Sequence, residues 1–276
     1  MKKITYFIAT PLFALFLGSC NGGDRAADNA DGITEFEINQ RLLTGDKAYR
    51  VETGEAYGTV YLELSTSVQW PEKMGANDIK VLQDSIVRIA YADTSSTSIR
   101  ECVKHFITNT SIIDEAANVS EVDSFPSDSV AYFSSVTAAP IEINEDMVTY
   151  QIVNSMYLGG AHPMTATIPF TYNFAQGKVI GIDDIFVPDT PTDSIVGMIT
   201  EALARQLNVA PERLDQAGIF TNQLTYPGRP YIVNNTLYFH YDPYEISPYA
   251  MGPIDVAIYP SEVDNIIRPE IKALFD

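Results

Sequence analysis

Residues 58–70 have the sequence Gly-Thr-Val-Tyr-Leu-Glu-Leu-Ser-Thr-Ser-Val-Gln-Trp, in which apolar and polar side chains alternate. Successive side chains of a β-strand point to opposite faces of a sheet, so this alternation predicts a strand with one buried face. Pro71 follows and is expected to end the strand, because proline lacks the N–H group that a sheet ladder needs. The side chains predicted to be buried are Val60, Leu62, Leu64, Val68 and Trp70.

Two helices are predicted after this strand, because the apolar spacing changes from two residues to three or four. The first covers residues 77–90, with Asn77 placed to cap its first turn. The second covers residues 98–108 and has Cys102 on its apolar face. The stretch from 121 to 129 is rich in Ser and Asp and is expected to be a surface loop.

The second half of the chain contains several short strand patterns and fewer helical ones. A helix is expected to start at Pro191 behind a Thr190 cap, and another to open with a Ser261 and Asp264 capping box. Neither a GxGxxG motif nor a P-loop occurs, which disfavours a doubly wound nucleotide-binding fold. The chain is therefore predicted to be α+β, with two small domains, residues 35–139 and 140–276, each with helices packed on a mainly antiparallel sheet. The predicted strands are 130–136, 141–143, 147–157, 165–174, 178–180, 231–233, 236–241 and 254–259. Strands 231–233 and 236–241 are predicted to form a hairpin over Asn234 and Asn235.

The N-terminus has the pattern of an export signal. Lys2 and Lys3 precede an apolar stretch over residues 4–17, which is too short for a confident membrane span. It ends in Leu-Gly-Ser-Cys at residues 17–20, which resembles the lipobox of bacterial lipoproteins. The resemblance implies a signal peptide over residues 1–19, lipid on Cys20 and a flexible tether over residues 20–34. It places the protein in the bacterial cell envelope, attached to the membrane by a lipid anchor. The alternative is an ordinary secretory signal with an incidental cysteine.

Composition narrows the range of functions. The 276 residues carry a net charge of -19 and are 46% hydrophobic, which excludes a disordered acidic chain. The acidity argues against nucleic acid as a partner, because phosphate contacts need a basic surface. A partner guided by charge would be cationic; alternatively, the charge simply keeps the protein soluble.

The histidines and cysteines do not form a metal pattern. His105 follows Cys102 by three residues, but a zinc site needs further ligands and no second Cys/His cluster occurs. We therefore expect Cys102 to be a core residue rather than a catalytic thiol, and we expect no metal and no cofactor. His240 lies between Phe239 and Tyr241 in a strand pattern, where its side chain is expected to bridge strands.

Two unusual stretches carry a family resemblance. One is Gly-Gly-Ala-His-Pro at residues 159–163, and the other is Tyr-Glu-Ile-Ser-Pro-Tyr-Ala-Met-Gly-Pro at residues 244–253. Their order, over roughly residues 140–265, resembles the extracellular domain of RsiV-type anti-sigma factors, which also precedes the catalytic domain of PdaC-type peptidoglycan deacetylases. The chain lacks both the sigma-binding region and the deacetylase domain of those relatives. The resemblance implies a binding or sensing module, and lysozyme binding by the anti-sigma factors implies lysozyme, another cationic protein or cell-wall glycan as partner.

The same stretches supply the candidate ligand-binding residues, and we expect no catalytic residue. We predict that the two loops lie side by side and share hydrogen bonds, with His162 or Tyr249 as the donor to the other loop, since both loops are rich in residues that fix unusual backbone. His162 either locks its turn or acts as a base or ligand, and the tyrosine-rich loop either contacts a partner or packs on itself. The candidates are His162, Tyr241, Tyr244, Glu245 and Tyr249.

Three classes of function remain open at the level of sequence. The first is a non-enzymatic binding or sensing module of the envelope. The second is a peptidoglycan- or glycan-processing enzyme, for which Glu245, His162 and Asp242 would be the first catalytic suspects. The third is a structural spacer without a ligand.

Overall fold

The structure, a computed structural model, describes residues 36–53, 58–92, 98–113, 116–126, 129 and 131–275. The predicted signal peptide and tether lie outside these residues. Two sheets and six α-helices make up the covered part of the chain. The strands are β1 (Ile38–Thr53), β2 (Thr59–Met74), β3 (Ala116–Val122), β4 (Ala131–Ile143), β5 (Met147–Tyr157), β6 (Met164–Asn173), β7 (Lys178–Val179), β8 (Arg229–Val233), β9 (Thr236–Tyr241) and β10 (Ile254–Ile258). The helices are α1 (Lys80–Tyr91), α2 (Ile99–Thr108), α3 (Ile182–Ile185), α4 (Thr192–Leu207), α5 (Pro260–Val263) and α6 (Pro269–Lys272).

The larger sheet has seven strands in the order β3-β1-β2-β4-β5-β6-β7, and the smaller one has the order β10-β9-β8. All neighbouring strands are antiparallel except β2 and β4, which are parallel. The predicted α+β class with mainly antiparallel sheets is confirmed. The predicted boundary at residues 139 and 140 falls inside β4, while the division into two domains stays a prediction.

The alternating stretch at residues 58–70 is strand β2, as predicted, but Pro71 does not end it. The strand continues to Met74, and the pairing of β1 with β2 shifts register between Asn39 and Gln40, next to the proline. A bulge of this kind accommodates a residue without an N–H group. The patterns at 130–136 and 141–143 are likewise one strand, β4.

Helices α1 and α2 cover one face of the larger sheet. Leu82 and Ile86 of α1 and Cys102 of α2 are buried together with Val68 of β2 and Tyr150 of β5. The predicted apolar faces of both helices are therefore confirmed, and Cys102 is a core residue. Packing supplies most of the stability of such short amphipathic helices.

Helix α4 packs against the smaller sheet in a second apolar cluster. Ile199 and Leu203 of α4 lie among Phe239 of β9 and Val256 of β10, all fully buried. Strands β8 and β9 form the predicted hairpin, whose turn residues Asn234 and Asn235 both have positive φ, 49° and 54°. Asparagine tolerates this left-handed backbone, which matches the twist of the flanking strands.

The predicted helix caps are wrong in detail. Helix α1 starts at Lys80, and Asn77 instead donates its side-chain amide to the carbonyl of Met74. At the start of α4 the capping position is Pro191, not Thr190, whose hydroxyl donates to the carbonyl of Val187. The capping box predicted at Ser261 lies two residues earlier, with Glu262 accepting from the Tyr259 N–H.

The two ends of the larger sheet carry different parts of the chain. Strand β1 starts at Ile38, paired with Met74, and ends where Glu52 pairs with Thr59. That second end also holds the start of β4 and the end of β5, because Tyr61 pairs with Ala131 and Phe133 pairs with Tyr157. The chain therefore enters the sheet at the end opposite to the loop that follows β5. Within the described residues, no helix is long and apolar enough to cross a membrane.

Candidate functional site

The loop between β5 and β6 covers residues 158–163 and is shaped by two glycines. Gly159 and Gly160 have φ of 96° and 104°, a region that residues with a Cβ rarely adopt. The Tyr157 hydroxyl donates to the Gly160 carbonyl across the loop at 3.0 Å. This loop conformation places His162 next to the end of strands β5 and β6 in the larger sheet.

The second loop covers residues 242–253 between β9 and β10. Tyr244 has a φ of 74°, and its N–H donates to the carbonyl of Ser247 at 2.9 Å. A short 3₁₀ turn follows at Tyr249–Met251. The tyrosine rings are thus held by a tightly turned backbone and not by a strand.

The two loops meet through an aromatic stack formed by His162, Tyr244 and Tyr249. The rings of His162 and Tyr249 lie 3.6 Å apart between centroids and 13° from parallel, and the Tyr244 ring lies 6.1 Å from His162. His162 Nε2 and Tyr244 Oη are 3.0 Å apart, within hydrogen-bond distance. The prediction that the loops lie side by side and share a hydrogen bond is confirmed.

The other ring nitrogen of His162 determines the direction of that bond. His162 Nδ1 lies 3.0 Å from the carbonyl oxygen of Pro163, which can only accept. Nδ1 therefore carries the hydrogen, and Nε2 of the neutral ring accepts from the Tyr244 hydroxyl. His162 Nε2 therefore helps to hold the two loops together. The donor across the loops is Tyr244, so the prediction that His162 or Tyr249 would donate is wrong.

A charged cluster lies next to the stack, at the base of the second loop. Arg229 of β8 donates to both carboxylate oxygens of Glu245, at 2.9 and 2.7 Å, and to Asp242 Oδ2 at 2.8 Å. Glu245 also accepts from the Asp242 N–H, and Asp242 accepts from the Thr167 N–H of β6 at 2.8 Å. Asp242 therefore ties the loop to β6 of the larger sheet.

His240 completes the cluster by bridging strands, as predicted. Its side chain is 2% exposed, with Nδ1 2.7 Å from Asp255 of β10 and Nε2 3.2 Å from Asp242. Burial alone would lower the pKa of His240, but the hydrogen bonds and negative charges of the two aspartates outweigh it and raise the pKa. We infer that the ring carries both protons over much of the acidic range.

The carboxyl groups of the cluster shift in the opposite direction. Burial would raise the pKa of Asp242 and Glu245, yet hydrogen bonds from His240 and Arg229, respectively, and from backbone N–H groups lower both values. Catalytic acids are usually carboxyls whose pKa is raised. The cluster is built to keep its carboxylates ionised and paired.

Family comparison covers this loop and this cluster. Residues 183–259 match the DUF3298 family. The model that matches is described as "Protein of unknown function (DUF3298)". The matched segment runs from α3 to the residue after β10, and so contains Tyr244, Tyr249 and the charged residues 229–255, while His162 lies before it.

Two crystal structures share the fold at low sequence identity. A DUF3298 family member from Bacteroides fragilis superposes with a TM-score of 0.65 at 17% identity, over 88% of this chain and 99% of that one. A DUF3298 family protein from Pseudomonas aeruginosa gives a TM-score of 0.56 at 16% identity, over 85% and 96% of the two chains. The α+β architecture is thus shared by DUF3298 proteins of two organisms.

Curated relatives match a smaller part of the chain. Immunogenic proteins MPB64 of Mycobacterium bovis and MPT64 of Mycobacterium tuberculosis are 28% identical over 156 residues, covering 50% of this chain and 65% of theirs. A Mycobacterium tuberculosis protein named as an esterase is 43% identical over 63 residues, 22% of this chain and 28% of its own. The chain spans less than two thirds of the length of these relatives.

The candidate residues within the DUF3298 segment differ in accessibility. Tyr244 is 48% exposed and Tyr249 is partly buried, whereas Tyr241 is fully buried in the core. The Tyr241 hydroxyl donates to the carbonyl of Tyr226 at 2.8 Å. Tyr241 therefore supports the loop from below and does not belong to its surface, and Glu245 is occupied by Arg229.

Two further groups of side chains, at Asp184 and at Cys102 and His105, have structural roles. Asp184, near the start of the DUF3298 segment, accepts from the Gly181 N–H at the start of α3 and pairs with Lys178. Cys102 is buried while His105 is exposed on α2, so the two face different environments. Among the residues that the structure describes, no group of three or more His, Cys, Asp or Glu side chains could hold a metal ion.

Sequence reasoning missed Arg229 and Asp255. Both lie opposite His240, Arg229 on β8 and Asp255 on β10, so the three residues form one row across the small sheet. The signal in the sequence was their position in short strands of alternating polarity. The strand register that aligns them is set by the β8–β9 hairpin and by the loop between β9 and β10.

Proposed function

We propose that this chain is a non-enzymatic binding or sensing module of the bacterial cell envelope, anchored by lipid on Cys20, which contacts a cationic protein through the aromatic stack. The observation that carries the proposal is that His162, Tyr244 and Tyr249 come from two separate loops and stack in a fixed arrangement. Tyr244 remains 48% exposed within that arrangement.

A rigid aromatic surface is well suited to protein contact. Tyrosine buries a large area on binding and loses little conformational freedom when its ring is already held in place. The hydrogen bond from Tyr244 to His162 and the tight backbone turn at Tyr244 supply that restraint. Three exposed methionines lie close in sequence to the stacked residues and add apolar surface: Met156, Met164 and Met251.

Charge favours a cationic partner. The net charge of -19 gives the molecule a negative field, which speeds encounter with a basic protein and weakens as salt rises. Lysozyme is the partner implied by the RsiV-type resemblance, and it is the probe we choose.

The alternative of a glycan-processing enzyme has less support. Its suspected acids, Asp242 and Glu245, are paired with Arg229 and have lowered pKa values. His162 is hydrogen bonded to Tyr244 and to the Pro163 carbonyl rather than to either acid. A structural role accounts for these ion pairs and hydrogen bonds, because together they hold the loop in a fixed conformation.

The test measures binding of the full chain, extracted in mild detergent, to lysozyme at low and high salt. We expect Tyr244→Ala to weaken binding by about tenfold, the loss of roughly 1.4 kcal/mol of contact energy. Leu42→Ala is the control, because Leu42 is similarly exposed, at 56%, and lies on β1. Absence of binding at both salt concentrations, at tens of micromolar, would contradict the lysozyme proposal.

A further inference from the structure

A second surface of the protein is an open cleft between α4 and the small sheet. Its volume is about 390 Å³, and the residues that line it include two small ones, Ala202 of α4 and Ala257 of β10. Because neither side chain extends beyond Cβ, the two residues leave room for the cleft beside the packed core of α4 and the small sheet. The cleft shares no residue with the aromatic stack.

Tyrosine rings line one side of the cleft. Tyr238 of β9 stands next to Ala257 in the cross-strand pairing and stacks on Tyr231 of β8, with ring centroids 5.2 Å apart and planes 20° from parallel. Tyr259 follows β10 and is 54% exposed at the rim. The Tyr238 ring is held by its neighbour, while Tyr259 is open to solvent.

Polar groups of both signs line the remaining walls. Arg205 of α4 is held by Glu262, with Nη1 to Oε1 at 2.9 Å. The Gln206 side-chain amide donates to the Asp255 carbonyl at 3.0 Å, and the Asp255 carboxylate is held by His240 but is still 41% exposed. Donors and an acceptor are thus fixed in place around the tyrosines.

This combination selects a class of ligand. An apolar ligand would remove water from Arg205 and Asp255 without replacing their hydrogen bonds, which is unfavourable. A compact ion of either sign finds these charges already paired, Arg205 with Glu262 and Asp255 with His240, so it gains little from them. A hexopyranose has an apolar C–H face for a tyrosine ring and hydroxyls that both donate and accept, so it satisfies all of these groups.

We propose that this cleft binds a hexopyranose unit of a glycan chain, with Tyr238 and Tyr259 against the sugar face and Arg205 and Asp255 on its hydroxyls. This glycan site is additional to the protein contact proposed above and does not depend on it. It gives the module a means of holding a polysaccharide while its loops engage a protein.

The experiment titrates the full chain in mild detergent with chitotetraose and, separately, with cellotetraose, followed by calorimetry. We expect millimolar or tighter binding of at least one oligosaccharide, and loss of about tenfold in affinity in Tyr259→Ala, whose side chain is exposed. Ala257→Leu places a larger side chain in the cleft without removing a side-chain hydrogen bond, and it should weaken binding at least as much. Leu42→Ala should bind like the unchanged protein.

Two results would overturn the glycan site. One is absence of binding of both oligosaccharides at concentrations up to about 5 mM. The other is binding that is equal in Tyr259→Ala, Ala257→Leu and the unchanged protein, provided that thermal melting shows both variants folded. Neither result bears on lysozyme binding, which is measured with a different probe and a different variant.

Discussion

At the scale of single residues, His162 links the two loops by two contacts, a ring stack on Tyr249 and a bond to Tyr244. A third contact, to the Pro163 carbonyl, lies within its own loop. The side chain is only partly buried, so water can replace some of what a substitution removes. The stabilisation it provides therefore depends on geometry as much as on burial.

We predict that His162→Ala lowers the free energy of unfolding by about 1–3 kcal/mol, the sum expected for one stacked pair and one or two hydrogen bonds. Urea unfolding followed by circular dichroism measures this. Tyr244→Phe is the matched variant: it keeps the ring and removes only the hydroxyl, so it should cost about 1 kcal/mol or less. An unchanged midpoint in His162→Ala would show that the stack does not contribute to stability.

His240 predicts how stability depends on pH. Its pKa is raised in the folded state, so its stabilising effect is complete below the ordinary value of 6.5 and is lost as the pH rises through the folded value. Asp242 and Glu245 have lowered pKa values, so their effect is complete above 3.8 and 4.5 and is lost as the pH falls. Stability should therefore be greatest between about pH 4.5 and 6.5.

The measurement is the free energy of unfolding across pH 5 to about 8.5. His240→Gln should flatten the decline above pH 6.5, whatever its effect on overall stability, because glutamine does not titrate. His105→Gln on the exposed side of α2 is the control and should keep the original slope. An identical decline in His240→Gln would refute the role of the buried histidine.

The residues of the site were predictable to the extent that they lie in loops of unusual composition. His162, Tyr244 and Tyr249 stand beside glycines or prolines, and such residues mark a shaped loop. Arg229 and Asp255 were not predictable, because they meet His240 only through strand register. Tyr241 was assigned to the surface because its loop was, but strand alternation places it with Phe239 in the core.

At the scale of elements, strand β1 shows where sequence pattern fails. Leu43, Tyr49 and Val51 are buried on one face, but an irregularity near Asn39 and a glycine at position 45 interrupt the apolar pattern. Gly45 is required by packing, since a Cβ there would lie 2.9 Å from a methyl of Val103 on α2. Where a glycine takes the place of an apolar side chain on the inner face so that a helix can pack closely, the alternation of apolar and polar residues in the sequence is weak.

The β8–β9 hairpin offers a test of how the left-handed backbone of its turn affects stability. Asn235 has a φ of 54°, in the left-handed region, so Asn235→Val should destabilise the protein by about 1–2 kcal/mol. Asn235→Gly should leave stability unchanged or raise it slightly, because Asn-Gly is the preferred pair for this turn. Chemical denaturation of both variants makes the comparison. Equal stability of the two would mean that the turn is not the constraint we describe.

At the scale of the whole molecule, the two cysteines allow a test of the anchor. Cys102 is 1% exposed, so its thiol should not react with a thiol reagent in the folded protein. If Cys20 carries lipid on its sulfur, the folded chain should show no reactive thiol and the unfolded chain one. Colorimetric titration of thiols on protein purified from bacterial membranes measures both states.

The control for that titration is Cys102→Ala, which should show no thiol in either state. A count of two thiols in denaturant, or of one in the folded protein, would contradict lipid attachment at Cys20. The alternative of an ordinary secretory signal predicts those higher counts if the cleavage leaves Cys20 in the mature chain.

The chain enters the larger sheet at the end opposite to the loop after β5, which would have a mechanical consequence if the proposed anchor and partner act at these two places. A partner held at the loop after β5 and an anchor pulling on residue 36 would load the protein along its strands. In that direction β1 can leave β2 only by sliding, so the hydrogen bonds along fifteen paired positions share the force rather than breaking one after another. The roughly 50 Å of strand in β1 would then serve as a tension-bearing strap between membrane and partner.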